Sequence, residues 1–461
     1  MAVTMNPFVK KSLFLLSILS FFGSVSAFVP RSVVFPEVTE SLFSSPRQNR
    51  HASVQVAFDM ADSYFEDAVG TLGIFQRINL KYLAKSADLM SREQGLGAYV
   101  PDALVALPQW VDQNIWYQAC SSVRAQRAIV SYGDFISLKD LADYVPSDHV
   151  IKHRLVEGGS VCFGLSLPLV QVQSTNFYEL IRYNSHVDIQ RNLPEIDAKA
   201  EALRSELFKK IGLESNVWDH AGLGDLDVYL GFSSHADYFL RLRTLDVGVL
   251  FGCLFPTGLQ RDLNYPSSLP LSLSSPSFTL SMYVDLGLKD YLNLGFAGGI
   301  VATRTKTHQM RYPVYEEPAA YSPLLTEISV APGLTSWINP YLQIKNVANN
   351  LHFTANYACV WHAQDTFRDE RVAPLVKSLD DRGDDVDLGT NVVDRDRSRD
   401  RLFSSSYWSS RHVGISLTYE PWQANKDAAF NPLLSMGCQF SHRGKNVPQM
   451  YHLYASVACE F

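Results

Sequence analysis

The chain has 461 residues, a formal net charge of −7 and six cysteines. This acidic balance argues against a nucleic-acid partner, because nucleic-acid-binding proteins carry strongly basic surfaces. No run of 18 apolar residues follows the N-terminal segment, so the sequence predicts no transmembrane helix. The length suits several soluble domains or one large barrel.

Residues 1–27 have the three parts of a secretory signal peptide: a basic start with two lysines, a short apolar stretch and small residues up to Ala27. The apolar stretch is too short to span a bilayer, so we expect cleavage after Ala27. We then expect residues 28–50 to form an N-terminal periplasmic segment and residues 51–461 to form the folded part of the protein.

Apolar and polar residues alternate over runs of about ten residues along much of the chain, which gives each predicted strand one apolar and one polar face. Sandwich strands average about five or six residues, whereas a tilted strand that crosses an outer membrane needs about ten. The apolar face of these runs carries no charge, and aromatic residues lie near the strand ends, as in the aromatic girdles of membrane barrels. The predicted strands are 51–60, 149–155, 161–169, 226–232, 245–255, 278–288, 292–303, 338–345, 351–362, 413–419, 434–440 and 449–461.

This pattern predicts an all-β fold, a single antiparallel transmembrane β-barrel of about 12 strands, within a range of about 10 to 14. A soluble sandwich would bury the apolar face, so the position of that face decides between the two architectures. The last predicted strand ends at Phe461 and resembles the closing strand of bacterial outer-membrane barrels. That resemblance implies recognition of this strand by the barrel-assembly machinery. With Phe461 at the periplasmic side, short turns are expected at the periplasmic end of the barrel and long loops at the extracellular end.

Two of the predicted external connections have distinctive sequences. Residues 194–213 predict an amphipathic helix with Pro194 in its first turn and Gly212 at its end. Its apolar stripe needs a surface, so the helix packs as a lid on other loops or enters the lumen as a plug. Segment 363–410 carries clustered Asp and Arg residues. We interpret it as a solvated loop rather than a Ca²⁺ site, because the carboxylates lack EF-hand spacing and arginines interrupt them.

No motif predicts a catalytic residue, a cofactor or a metal site. The six cysteines are far apart and form no CxxC pair, so we interpret most of them as small apolar residues. A hydrolase would need a nucleophile, a base and an orienting group in contact. No Gly-x-Ser-x-Gly elbow occurs, and the apolar faces lack the Ser and His residues of a lipid-facing hydrolase.

The polar faces of the strands supply the candidate functional residues. In a membrane barrel these faces enclose the lumen, where they would line a passage for small solutes, neutral or cationic rather than anionic. Alternatively, these groups pair with one another inside a plugged barrel that has a structural or adhesive role through its external loops. The predicted lumen-lining residues are Asp225, Asp227, Asp246, Asp285, His352, Asn356, His362 and His412.

Residues 222–258 contain a Gly-Leu-Gly-Asp turn, a strand, and a second strand that ends in Phe-Pro-Thr-Gly. Together with the C-terminal strand, this pair resembles porin-like outer-membrane proteins of the phenol meta-pathway transporter type. The resemblance implies a channel for small, often aromatic, compounds in the outer membrane, with lipid around it. Gly231, Gly248 and Gly252 would leave space in the lumen.

Overall fold

The structure is a computed structural model that describes residues 51–64, 75–80, 83–84, 87–88, 115–137, 159–182, 193–214, 216–237, 242–269, 272–273, 275–313, 317–369, 406–420, 431–445 and 447–460. In chain order these residues form β1 His51–Tyr64, β2 Phe75–Asn79, β3 Ile115–Ser137, β4 Gly159–Arg182, α1 Leu193–Lys210, β5 Val217–Leu223, β6 Leu226–Asp237, β7 Thr244–Phe255, β8 Ser277–Lys289, β9 Leu292–Thr303, β10 Lys306–Arg311, a 3₁₀ turn Ala319–Tyr321, β11 Leu325–Ala331, β12 Thr335–Ala348, β13 Leu351–His362, β14 Thr366–Asp369, β15 Trp408–Tyr419, β16 Asn431–Lys445 and β17 Pro448–Glu460.

Twelve antiparallel strands close into a barrel, which confirms the predicted fold class. β1 and β17 pair from His51, opposite Glu460, to Tyr64, opposite Pro448. β3 and β4 pair along their whole length and complete the ring. β2 and β5 extend it at one end, while β10, β11 and β14 form a separate small sheet. The ring consists of β1, β3, β4, β6, β7, β8, β9, β12, β13, β15, β16 and β17.

The apolar side chains of the barrel strands face outward. On β8, Phe278 and Met282 are 64% and 52% exposed, whereas Tyr283 and Asp285, on the opposite face of the strand, are buried. A soluble barrel would bury the apolar face, because exposing so much apolar surface to water is unfavourable. A closed barrel with an apolar outer belt and a polar inner face is the architecture of outer-membrane barrels. The protein therefore spans the outer membrane, with lipid around the belt.

The two ends of the barrel differ in their connections. Tight turns at Asp290–Tyr291 and Asn349–Asn350 join β8 to β9 and β12 to β13. Asn350 adopts a positive φ of 66°, a conformation that Asn tolerates better than most residues. The opposite end carries α1, β5 and the small sheet. We call these the short-turn end and the long-loop end. Each end has exceptions: the connection around Val447 at the long-loop end is tight, and the connections 138–158 and 420–430 at the short-turn end are long.

Strand β3 was not predicted from the sequence, and β4 is longer than the predicted strand 161–169. Both strands continue beyond the apolar belt, and the polarity of their two faces reverses there. On β4, Leu169 is exposed in the belt, while farther along Gln171 is exposed and Val172 is buried. The alternation therefore changes sense within one continuous strand, which hides the strand from a search for a constant pattern.

Several predictions concern residues outside the described ranges. These are the signal peptide 1–27, the segment 28–50, the strand 149–155, Phe461 and most of the charged segment 363–410. The first residues of that segment include β14, and its last residues begin β15.

Helix α1 begins at Leu193 and ends at Lys210, close to the predicted bounds 194–213. Among the described residues, no helix combines the length and hydropathy of a helical membrane span. The buried apolar stripe of α1 packs on other loop segments and on the projecting parts of β3 and β4, as the lid alternative predicts. We call this packed unit the lid; its buried residues are Ile78, Leu80, Leu83, Ala84, Ala87, Tyr117, Ala119, Ala200, Leu203, Leu207, Phe208, Ile211, Leu213, Ala320 and Tyr321.

Candidate functional site in the barrel interior

Glycines and tyrosines pair across the inner wall of the barrel. Tyr341 on β12 lies directly opposite Gly295 on β9, and a Cβ atom at Gly295 would overlap the tyrosine ring. Because glycine has no side chain, the ring lies close to the backbone of the facing strand rather than across the lumen. The same arrangement joins Gly164 with Tyr229, Gly248 with Tyr283, and Gly437 with Tyr454.

Apolar side chains form an inward-facing cluster toward the long-loop end. They come from strands on all sides of the ring and from the loop between β7 and β8, and Trp337 and Trp408 in this cluster are each only 7% exposed. A barrel whose outer face is apolar thus has an apolar section inside as well. We call this cluster the apolar collar; it consists of Val123, Ala125, Val170, Val172, Trp218, Leu269, Tyr283, Ala297, Trp337, Val360, Trp408, Val447 and Met450.

The loop between β7 and β8 contributes Leu269 to the collar, and Asp225 holds this loop in place. Asp225 is fully buried. Its Oδ2 accepts the Leu273 backbone N–H at 2.8 Å, and its Oδ1 accepts the Gly258 N–H at 3.4 Å. Thr257 adds a second connection, because its hydroxyl donates to the Gly224 carbonyl at 2.7 Å. The Gly-Leu-Gly-Asp turn and the Pro-Thr-Gly segment of the sequence therefore contact each other and fix the loop.

Toward the short-turn end the inner face is polar and acidic. Asp246 on β7 and Asp285 on β8 are buried and directly opposite each other. Like charges in this position repel, so each needs a partner. His235 Nδ1 lies 2.5 Å from Asp246 Oδ1, and Asn293 Nδ2 donates to Asp285 Oδ2 at 3.2 Å. We call these four residues the acidic section.

The other predicted lumen residues are spread around the barrel rather than gathered into one site. Asp227 is half-buried on β6, opposite Leu254. Asn356 donates to Asn339 Oδ1 at 3.1 Å. His352 is buried near the short-turn end, 3.7 Å from Glu420. His412 is buried, with its Nε2 2.8 Å from the Ser410 hydroxyl.

His362 lies at the long-loop end, beside the collar. Its ring stacks on Trp408 with a centroid distance of 5.4 Å. Its Nδ1 lies 2.8 Å from the Thr335 hydroxyl, and its Nε2 lies 2.9 Å from Asp365 Oδ1. Asp365 Oδ1 also accepts the Gly333 N–H at 2.7 Å. The network joins the ends of β12 and β13 to the loop that follows them.

The collar is the part of the interior that the sequence analysis missed. Its tryptophans lie at positions where a polar-faced strand should carry a polar residue. The signal is a local loss of alternation: residues 357–361, Tyr-Ala-Cys-Val-Trp, are apolar at every position. Val360, in the middle of this run, is fully buried in the collar. Continuous apolar runs of this kind indicate a strand that is apolar on both faces.

The lid is held by an arginine stacked among aromatic rings. Arg204 Cζ lies 4.3 Å from the Tyr178 ring centroid and 4.9 Å from that of Phe208, distances typical of cation–π contacts. Its Nε donates to Glu201 Oε2 at 2.9 Å, and its Nη2 donates to Glu201 Oε1. This hydrogen bonding lowers the pKa of the Glu201 carboxyl. Burial raises the pKa of Tyr178, which keeps its phenol neutral.

Arg311 joins the lid to the loop that carries Leu269. Its guanidinium donates to the backbone carbonyls of Leu263 at 2.6 Å, Ser322 at 2.7 Å and Ile211 at 3.2 Å. Ile211 directly follows α1, so the bond satisfies a carbonyl at the helix end. Burial lowers the pKa of Arg311 to about 10, and the carbonyls solvate its charge.

Within the described ranges, no three His, Cys, Asp or Glu side chains group closely enough to hold a metal ion. The six cysteines have free thiols, and all six lie on strands of the barrel ring.

No protein-family model matches the chain. No curated protein matches it either. Among solved structures, an outer-membrane channel from Pseudomonas putida F1 is similar at a TM-score of 0.46 and 9% identity, covering 90% of this chain and 97% of that one. The Ralstonia pickettii toluene transporter TbuX gives 0.33 and 9%, covering 95% of each chain. The transport unit of the Escherichia coli autotransporter AIDA-I gives 0.32 and 8%, covering 92% and 95%.

Proposed function

We propose that this barrel is a channel that passes small, uncharged, apolar solutes across the outer membrane. The apolar collar is the observation that carries the proposal. A water-filled pore needs a polar lumen along its whole length. Tryptophans and aliphatic side chains across one section exclude hydrated ions, because an ion would have to shed water there without receiving compensating ligands.

An apolar solute meets the opposite balance. It leaves water on entering the collar and contacts Trp337, Trp408 and Leu269, so its transfer is favourable. The acidic section lies beyond the collar, toward the short-turn end. The two facing carboxylates, Asp246 and Asp285, disfavour anions, which supports a preference for neutral solutes and agrees with the preference for neutral or cationic solutes expected from the sequence.

A plugged barrel with a structural or adhesive role is the second candidate. The closely packed lid supports it, because the lid lies at the same end as the collar. The two candidates differ in one property. In a channel the side chains of the collar move apart to let a solute pass, and in a plugged barrel they stay packed. A hydrolytic role has less support. Thr335, His362 and Asp365 are connected by hydrogen bonds, but Thr335 and His362 are facing residues of paired strands and Asp365 lies in a loop at the barrel rim, so these bonds tie strand ends to a loop.

The test is uptake of the apolar dye N-phenyl-1-naphthylamine by intact Gram-negative cells that express the protein, together with ion conductance of the purified barrel in planar bilayers. A channel for apolar solutes is expected to accelerate dye uptake and to carry little steady ion current. Trp337→Asp places a charge in the collar and should abolish the added uptake, whereas Trp337→Phe should retain it.

Heat-modifiable migration on denaturing gels, which reports a folded barrel, should be the same for all three proteins. Steady current typical of an open aqueous pore would contradict the apolar-solute proposal. No added uptake and no current would favour the plugged barrel.

A further inference from the structure

Two arginines face each other on the outer surface of the barrel. Arg411 on β15 lies directly opposite Arg443 on β16. The neighbours of Arg411 along its strand, Ser410 and His412, are buried on the inner face, so Arg411 itself faces outward. Arg443 is exposed. Like charges directly opposite in a sheet destabilise the pair, so this position favours binding of an anion.

Two further basic side chains lie beside this pair. The register of β15 and β16 shifts between Arg411 and His412, which leaves His442 as the extra residue of a bulge. His442 Nε2 lies 3.2 Å from the Tyr357 hydroxyl. Lys445 Nζ lies 5.4 Å from the centroid of the Tyr407 ring. We call this group the basic rim; it consists of Arg411, His442, Arg443 and Lys445.

The chain does not neutralise the arginines in its described part. Across residues 406–420 and 431–445 and the other described segments, neither Arg411 nor Arg443 forms an ion pair with a carboxylate. The opposite rim of the barrel is different, because Arg243 pairs with Asp290 at 3.0 Å. The guanidinium donors of the basic rim are thus available to a group from the surroundings.

The basic rim lies at the edge of the apolar belt. Val413 and Phe440 are paired on the same two strands, and Phe440 is exposed on the lipid-facing side. Arg411 is two residues beyond Val413, which is about 7 Å along a strand. Polar headgroups occupy a layer of about 5–7 Å on each side of the hydrocarbon core. The arginines are therefore at the depth of lipid headgroups.

The geometry points to a binding site for the phosphorylated headgroup of an outer-membrane lipid at the basic rim. Guanidinium groups bind phosphate with paired hydrogen bonds, and one phosphate carries enough charge to offset both arginines. The acyl chains of the same lipid would lie on Phe440 and the belt below it. Clusters of basic side chains beside an apolar surface bind anionic lipids by this combination of contacts.

The experiment is titration of the folded, detergent-purified barrel with diphosphoryl lipid A, with bound lipid counted by native mass spectrometry. Losing the charged hydrogen bonds in R411Q/R443Q is expected to weaken binding by about tenfold. Lipid A without its phosphates should bind the unaltered barrel weakly. Its affinity should be no higher than that of diphosphoryl lipid A for R411Q/R443Q. Inorganic phosphate should not displace the lipid, and displacement would overturn the assignment to a lipid.

The matched control is R243Q/K289Q, which removes the same charge at the short-turn end and should keep its affinity. An equal loss there would overturn the proposal by indicating general charge attraction. Each variant is checked for heat-modifiable migration, and K445Q, a milder change, should weaken binding to a smaller degree. Unchanged affinity of R411Q/R443Q would also overturn the proposal. Lipid binding that occurs only after deletion of residues 370–405 would overturn the proposal too, because the carboxylates of that segment would then be the groups that bind the arginines in the intact chain.

Discussion

The Asp225 carboxylate accepts the Leu273 backbone N–H at 2.8 Å, and this bond connects the residue before β6 to the loop between β7 and β8. The same loop places Leu269 in the apolar collar. Asp225, which the sequence predicts in the lumen lining, thus positions the loop that supplies Leu269 to the collar.

Releasing this loop should make the barrel conduct ions. In Asp225→Ala the N–H groups of Leu273 and Gly258 lose their acceptor, so the loop and Leu269 become free to leave the collar. We expect frequent openings in single-channel recordings where the unaltered barrel has few. Asp225→Asn keeps an acceptor oxygen and should fall between the two. Identical recordings for all three proteins would show that the loop does not control the collar.

An arginine placed in the middle of the belt should destabilise the barrel strongly. Met282 is exposed near the centre of β8, and Leu288 is exposed near its end. Met282→Arg is expected to cost about 2–4 kcal/mol, because the charge enters the hydrocarbon centre, whereas Leu288→Arg should cost about 0–1 kcal/mol. The measurement is equilibrium unfolding in lipid vesicles, followed by tryptophan fluorescence. Equal costs at the two positions would contradict a membrane-facing β8.

The glycine–tyrosine pairs should behave as coupled units. Gly295→Ala adds a methyl group where the Tyr341 ring lies, and such overpacking typically costs about 1–3 kcal/mol. Removing the ring in Tyr341→Ala makes room for that methyl group. The double variant should therefore be less destabilised than the sum of the single variants, by about 0.5–3 kcal/mol in the same unfolding assay. Strict additivity would mean that the ring does not lie on the glycine.

The lid should loosen in acid. Hydrogen bonding to Arg204 lowers the pKa of Glu201 in the folded lid below its ordinary value of 4.5. The contribution of this pair is therefore fully present above that value and is lost as the pH falls through the lower, folded-state pKa. Hydrogen exchange of α1, corrected for the intrinsic pH dependence of exchange, should show reduced protection below pH 4.5. Glu201→Gln should show the reduced protection at neutral pH and little further change in acid.

The sequence predicts the barrel well where the chain crosses lipid, because the solvent imposes opposite polarities on the two faces of a strand. On β8 every second residue from Phe278 to Leu288 is apolar, and the structure exposes most of these residues and buries none of them. β3 escapes this test because much of its length lies beyond the belt, where lid contacts on one side and water on the other reverse the pattern.

The interior is harder to predict, because a side chain on the inner face can meet water, another strand or a loop. Parity alone assigns Asp246 and Trp337 equally to the interior, and it does not show that one lies in the acidic section and the other in the apolar collar. The role of Asp225 depends on a partner, Leu273, that is 48 residues away in a loop without periodicity. Such long-range contacts leave no local signature in the chain.

The barrel ring and the loop that supplies Leu269 have separate roles. Insertion into the membrane depends on strand pairing and on the apolar outer face, and the loop contributes to neither. In the proposed channel, changes confined to residues 256–276 would therefore alter which solutes pass while assembly of the barrel stays intact. Selectivity would then evolve faster than the ring that supports it.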